Sequence, residues 1–258
     1  MRHWSWLFAA REAREPLLGI YALMAEWHAL LDPGTEADVA RIKLAWWRDE
    51  MGRLAAGSPL HPISLYLANL EGAASTDWSP LMRPVAAAAA QVAGAALERA
   101  AELQSHADAL FGTPLLVAAG LGGASSPSVQ SCIAALAEAQ YVARALSDYG
   151  REARAGRILF PIDELLAAGV DNDDLAARDP PPHLDAYLHR MRDHAARYFA
   201  NSAEALATQE RPRLRHLLVL AALGAKHLNG RGRRAGADFR LADLYNAWTA
   251  ARRAAAAR

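Results

Sequence analysis

Asp148 and Glu152 stand four residues apart in a helix-compatible stretch, Asp148-Tyr149-Gly150-Arg151-Glu152, that runs on into Arg154, Gly156, Arg157 and Pro161. On a helix this spacing stacks the two carboxylates on one face, a turn apart, where both can reach one divalent cation. A hard cation such as Mg²⁺ takes carboxylate oxygens and leaves places for water or diphosphate oxygens. Arg144, Arg151, Arg154 and Arg157 surround the pair, and guanidinium groups bind phosphate oxygens, often through two parallel hydrogen bonds. Metal and arginines together suit a diphosphate as substrate and as leaving group. Taken alone, such a pair is more often a solvated, ion-paired helix face. A second stretch, His28-Ala29-Leu30-Leu31-Asp32, has the same spacing with a histidine where an acid would complete the pair. Glu26 does not replace it, since six residues turn a helix through about 600° and leave Glu26 and Asp32 on different faces. A neutral imidazole is a poor ligand for Mg²⁺, so His28 reads as a packed histidine.

The elements that must position these residues are helices nearly throughout. Pro16 opens a pattern with an apolar face of Leu17, Leu18, Tyr21, Leu23, Met24, Trp27, Leu30 and Leu31, closed by Asp32-Pro33-Gly34. A second helix starts at Thr35-Glu36-Ala37-Asp38 and runs through Trp46, Trp47, Met51 and Leu54; a shorter one follows His61-Pro62. Residues 83–103 and 105–121 are alanine-rich helical patterns, the latter broken around Gly112-Thr113-Pro114. Residues 128–151 form the long helix that carries the acidic pair. Two more helices span about 184–207 and 212–229. The basic turn Arg231-Gly232-Arg233-Arg234 precedes a last helix from Leu241. Strand signals are absent. The expectation is an all-α fold, residues 1–258 as a single bundle of eight to ten helices.

At 258 residues the chain is long enough for a substantial core. Lys+Arg and Asp+Glu balance at 28 each, so no global field argues for nucleic acid. Cys132 is the only cysteine, which excludes an intrachain disulfide and fits a reducing compartment. The first ten residues hold a short apolar patch that meets Arg11, Glu12, Arg14 and Glu15 at once, unlike a secretory signal. Residues 85–97 and 109–124 are too short, or too interrupted by Pro114, for a membrane span. The expected location is cytoplasmic; peripheral contact with the inner membrane stays open.

The sequence from Asp148 to Pro161 resembles the second aspartate-rich motif of the squalene/phytoene synthase family, D-V-G-E-D-A-R-R-G-R-I-Y-L-P. An acidic-hydrophobic stretch like Ile162-Asp163-Glu164-Leu165-Leu166 follows in that family. Leu18-Gly19-Ile20-Tyr21-Ala22-Leu23 resembles its early "LYAF" helix. Ile42-Lys43-Leu44-Ala45-Trp46-Trp47-Arg48-Asp49-Glu50, with Gly57 and His61-Pro62, resembles its "RLQWWRDAL…G…HPV" segment. The resemblance is clear over residues 4–62 and 133–170 and weak elsewhere. It implies an isoprenoid-synthase-type bundle in which two acid-bearing helices face each other across a deep apolar cavity. Asp148, Glu152 and Asp32 would be catalytic Mg²⁺ ligands. Arg154 and Arg157 would touch a diphosphate, and Tyr21 and Tyr141 would be substrate-binding. The partner implied is a prenyl diphosphate or other isoprenoid lipid, and the reaction a Mg²⁺-dependent condensation with loss of diphosphate.

Three departures stand beside that resemblance. His28 replaces the first acid, Arg144 stands where the family carries an asparagine before the acidic pair, and residues 83–103 offer alanine in place of acids. Tyr21-Ala22-Leu23-Met24-Ala25-Glu26-Trp27-His28 resembles the "YAFNAEIARVRD" variant of a proteobacterial and mitochondrial branch that contains a complex I assembly factor. Trp4-Ser5-Trp6-Leu7-Phe8-Ala9 fits the opening of the same branch. The alternative implied is a non-catalytic prenyl- or lipid-binding protein, or a respiratory-complex assembly protein with a protein partner, on the same fold. Catalysis requires Asp148, Glu152 and Asp32 to point into one cavity. The alternative expects these acids paired with Arg144, Arg151 or Arg154, and a pocket narrowed by Tyr141 or Trp27.

Overall fold

In the computed structural model, residues 1–229 and 241–256 are described; the basic stretch Arg231-Gly232-Arg233-Arg234 lies outside them. All regular structure among the described residues is helical. In chain order the α-helices are α1 Arg2–Leu7, α2 Arg11–Ala29, α3 Ala37–Ala55, α4 Pro62–Ala68, α5 Met82–Val92, α6 Glu102–Ala107, α7 Thr113–Leu121, α8 Pro127–Arg154, α9 Ile162–Ala167, α10 Asn172–Ala176, α11 Pro182–Ala205, α12 Arg215–Asn229 and α13 Leu241–Ala256. The segments outnumber the eight to ten expected because the short helices α1, α9 and α10 occupy stretches that carry no helical expectation, and the pattern over 105–121 divides between α6 and α7.

The central element is α8. Ser126 caps it by accepting from the Val129 amide at 3.3 Å, and Pro127 takes the first position, where no amide hydrogen is needed. Its buried side chains Val129, Cys132, Ile133, Leu136, Tyr141, Val142 and Ala145 recur at helical spacing and pack chiefly against α11. Glu50 on α3 performs the local task that explains much of the Trp46–Pro62 pattern. Its buried carboxylate accepts from the amides of Leu60 at 2.9 Å and His61 at 2.8 Å and from Arg53 at 2.8 Å, tying α3 to the start of α4. Trp47 is buried beside it, whereas Trp46 is exposed with the Arg53 guanidinium over its ring.

Two expectations about elements need correction. Helix α2 begins at Arg11, so Pro16 lies inside it and not at its start. The alanine-rich stretch 83–103 is not one helix: α5 stops at Val92, and Gly94 turns the chain at φ 83°, a left-handed value that favours glycine. Beyond it, the carbonyl of Leu97 accepts from the Ile162 amide at 2.8 Å and the Asp163 carboxylate accepts from the Ala100 amide at 3.0 Å. Tertiary pairing with the segment after α8 thus overrides alanine's helix propensity. The break expected around Gly112-Thr113-Pro114 is a π-helical turn over Asp108–Gly112, between α6 and α7.

The main core gathers Trp27, Tyr141, Phe160, Tyr187 and Phe199, and a smaller apolar cluster of Trp4, Val219, Leu223, Ala247 and Ala251 joins α1 to α12 and α13. No described helix is long and apolar enough to cross a membrane.

Candidate functional site

The C-terminal half of α8 and the end of α2 carry a continuous series of alternating carboxylates and guanidiniums. It runs Asp32, Arg151, Asp148, Arg144, Glu152, Arg157. Asp32, just past the end of α2, lies 3.6 Å from an Arg151 nitrogen, and Arg151 donates to Asp148 at 2.7 Å. The Arg144 Nε stands 3.7 Å from the other Asp148 oxygen, and its Nη2 donates to Glu152 at 2.8 Å. The Arg157 Nε donates to the second Glu152 oxygen at 2.6 Å. The i,i+4 spacing of Arg144, Asp148 and Glu152 aligns them on one helix face, as their sequence positions require. Glu152 is 0% exposed and has guanidiniums on both oxygens, whereas the Asp148 side chain retains 21% exposure.

Arg144 is the hub. Besides its contacts with Glu152 and Asp148 it donates to Gln91 Oε1 on α5 at 3.3 Å and to the Leu31 carbonyl at 3.4 Å, so α5, α8 and the segment after α2 meet on one guanidinium. Next to it, His28 packs on the Phe111 ring at 4.8 Å, and its Nδ1 takes a hydrogen bond from the Arg2 guanidinium of α1. Burial, then the charges of Arg2 and Arg144, hold the His28 pKa well below the usual imidazole value. His106, against the Tyr141 ring at 5.2 Å, is likewise lowered to about 4 by burial and by Arg144. Both imidazoles are neutral here at physiological pH. Burial pulls the Arg2 guanidinium down to about 10.

Of the residues expected at the site, Asp32, Asp148, Glu152 and Arg157 join the series. Three do not. Arg154 turns away and donates to the Ala176 carbonyl at 3.2 Å. Tyr141 donates to the Leu159 carbonyl at 2.8 Å, and the Tyr21 hydroxyl lies 2.9 Å from Ser5 Oγ. Burial pushes the Tyr21 hydroxyl up to about 12 and raises Tyr141 as well. Magnesium fits this arrangement poorly. Both Glu152 oxygens are engaged by arginines, Asp148 lies between Arg144 and Arg151, and an Asp32 oxygen accepts from the Gly34 amide at 2.8 Å. Among the described residues no three His, Cys, Asp or Glu side chains gather as a metal site would need. Trp27 and Tyr141 are packed into the core, and two surface hollows among the described residues, lined by Arg11, Arg213 and Arg215 or by Gly72, Asp77 and Leu121, lie elsewhere.

Arg2, Gln91 and His106 were not singled out from sequence. Arg2 gives no signal there, because its role depends on α1 folding back over α2. Gln91 is the one polar residue on the buried face of an alanine-rich helix, a clue that a buried partner exists.

The profile of the squalene/phytoene synthase family matches residues 2–253. Phytoene synthase 1, chloroplastic, of Arabidopsis thaliana is 23% identical over 209 residues, covering 79% of this chain and 49% of that protein. Phytoene synthase, chloroplastic, of Narcissus pseudonarcissus is 24% identical over 199 residues, covering 75% and 47%. The chain spans about half the length of the curated relatives it matches. Among solved structures, a dehydrosqualene synthase in complex with ligand superposes with a TM-score of 0.78 at 15% identity, over 98% of this chain and 89% of that one. Squalene synthase HpnC from Alicyclobacillus acidocaldarius does so with 0.71 at 20% identity, over 88% and 86%. These likenesses show that the fold is shared.

Proposed function

The chain belongs to the squalene/phytoene synthase family, and from that premise we propose that it binds an isoprenoid ligand on the family's fold without carrying out magnesium-dependent condensation. The observation that supports this reading is the closure of the acidic pair by guanidiniums, above all Arg144 between Asp148 and Glu152. A bridging divalent ion would have to displace that charge and break the two-sided clamp on a fully buried Glu152. What supports an isoprenoid ligand is the family membership; Trp27, Leu31, Phe111 and Tyr141 beside the clamp are themselves packed in the core. In this role a protein partner takes the place of a product. The resemblance of Tyr21–His28 to the assembly-factor branch points the same way, and the location that goes with this reading is cytoplasmic, beside the inner membrane.

The second reading is the condensation of two prenyl diphosphates with loss of diphosphate. One observation favours it: Asp32 lies in the same series of contacts as Asp148 and Glu152, as two facing acid-bearing helices require. Incubation with farnesyl diphosphate and Mg²⁺, following released diphosphate and apolar product, separates the two. The proposal expects neither product, together with a raised Tm in the presence of farnesyl compounds. A thirty-carbon product would establish condensation instead.

A further inference from the structure

Three carboxylates and three guanidiniums alternate from Asp32 to Arg157, so the series is electrically neutral as it stands. The Arg2 guanidinium is not part of it. No described carboxylate pairs with Arg2; its partner is the neutral His28 ring. A part-buried cation without an anion is a standing attraction for one.

The hydrogen-bond balance points the same way. Arg2 donates to His28 Nδ1, so in the neutral ring the hydrogen sits on Nε2. That Nε2 faces the Leu110 carbonyl without reaching hydrogen-bond geometry and is otherwise unpartnered. Gln91 is 3% exposed; its oxygen accepts from Arg144 while its Nε2 has no acceptor. Gln140, one turn before Arg144 on α8, also keeps an enclosed Nε2 without a partner, and so does the Nη2 of Arg157. Every unpartnered polar atom around this site is a donor. Buried donors normally find acceptors, so this part of the molecule suits a group rich in acceptors.

Resting on the isoprenoid-binding reading above, we infer that the site takes its ligand's head group without a divalent cation. Arg144 holds the place between Asp148 and Glu152 that a metal would need, and Arg2, His28 and Gln91 face a head group of low charge, a monophosphate in preference to a diphosphate. A phosphate monoester brings about 1.5 to 2 negative charges at pH 7, and a diphosphate brings more. With the carboxylates already neutralised, Arg2 offsets one charge of the head group, so a diphosphate leaves more charge uncompensated than a monophosphate does.

The test is isothermal titration of farnesyl monophosphate, farnesyl diphosphate and farnesol against the full chain, each in EDTA and in Mg²⁺. The inference expects the monophosphate in EDTA to bind at least tenfold more tightly than farnesol and more tightly than the diphosphate. Mg²⁺ should change its affinity less than twofold, and Arg2→Gln should bring it down to the level of farnesol. A requirement for Mg²⁺, a preference for diphosphate, equal affinity for farnesol, or full monophosphate affinity in the Arg2→Gln variant would overturn the inference and leave isoprenoid binding standing. Binding of none of the three would remove the isoprenoid-binding reading itself, and this inference with it.

Discussion

Asp148 and Glu152 read as equivalent members of a pair, but their surroundings differ. Glu152 is fully buried with an arginine on each oxygen, while Asp148 faces the partly exposed Arg151. Removing one partner of a buried ion pair costs about 3–5 kcal/mol because charge is left stranded, whereas an exposed pair contributes about 0–1 kcal/mol. Glu152→Gln should therefore lower the urea unfolding midpoint severely and Asp148→Asn only slightly. Equal effects would mean that the two carboxylates share one environment after all. The pairing partners Arg144 and Arg151 were legible in the sequence as an alternative to metal binding, because i,i+3 and i,i+4 neighbours must meet on a helix. Arg2 was not legible, since nothing in local periodicity tells where a separate six-residue helix will lay its guanidinium.

At the scale of elements, the periodic helices were readable and the interruptions were not. The long helix with the acids, the helix after His61-Pro62 and the helix from Leu241 all lie where the pattern put them. The alanine run after Arg83 misled, because alanine favours helix weakly everywhere and the stop at Gly94 is enforced by pairing with residues some sixty positions later. Close helix contacts were equally invisible. On α12, Gly224 leaves no room for a side chain: an added Cβ would stand 2.3 Å from the Phe199 ring of α11. Phe199 is buried, so overpacking should cost about 1–3 kcal/mol. Gly224→Ala is expected to lower Tm accordingly, and an unchanged Tm would show that α11 and α12 can separate at no cost.

The whole molecule should be sensitive to mild acid. His28 is held well below the ordinary imidazole value, His106 at about 4 and His216 at about 3, each chiefly by burial. In the unfolded chain they titrate near 6.5. Between those values the unfolded state binds more protons than the folded one, so stability rises with pH: it is complete above about 6.5 and is lost as pH falls toward the folded values. Each histidine contributes a slope of up to about 1.4 kcal/mol per pH unit in that window. The urea midpoint should fall between pH 7 and pH 5, and His106→Asn should make the fall shallower. A flat profile would show that these rings take up protons in the folded state. Glu50 adds to the loss at lower pH. Burial alone would raise its pKa, but donors from His61, Arg53 and Leu60 outweigh burial and lower it, so its stabilisation disappears only once pH falls below the usual carboxylate range.

The central claim is that a guanidinium, and not a metal, holds the acidic pair together. Titration of Mg²⁺ into the wild-type chain and into Arg144→Asn tests it most directly. The wild type should show no binding at millimolar Mg²⁺, and the variant, with Asp148 and the near oxygen of Glu152 released, should gain it. Tight Mg²⁺ binding by the wild type that Asp148→Asn abolishes would contradict the claim.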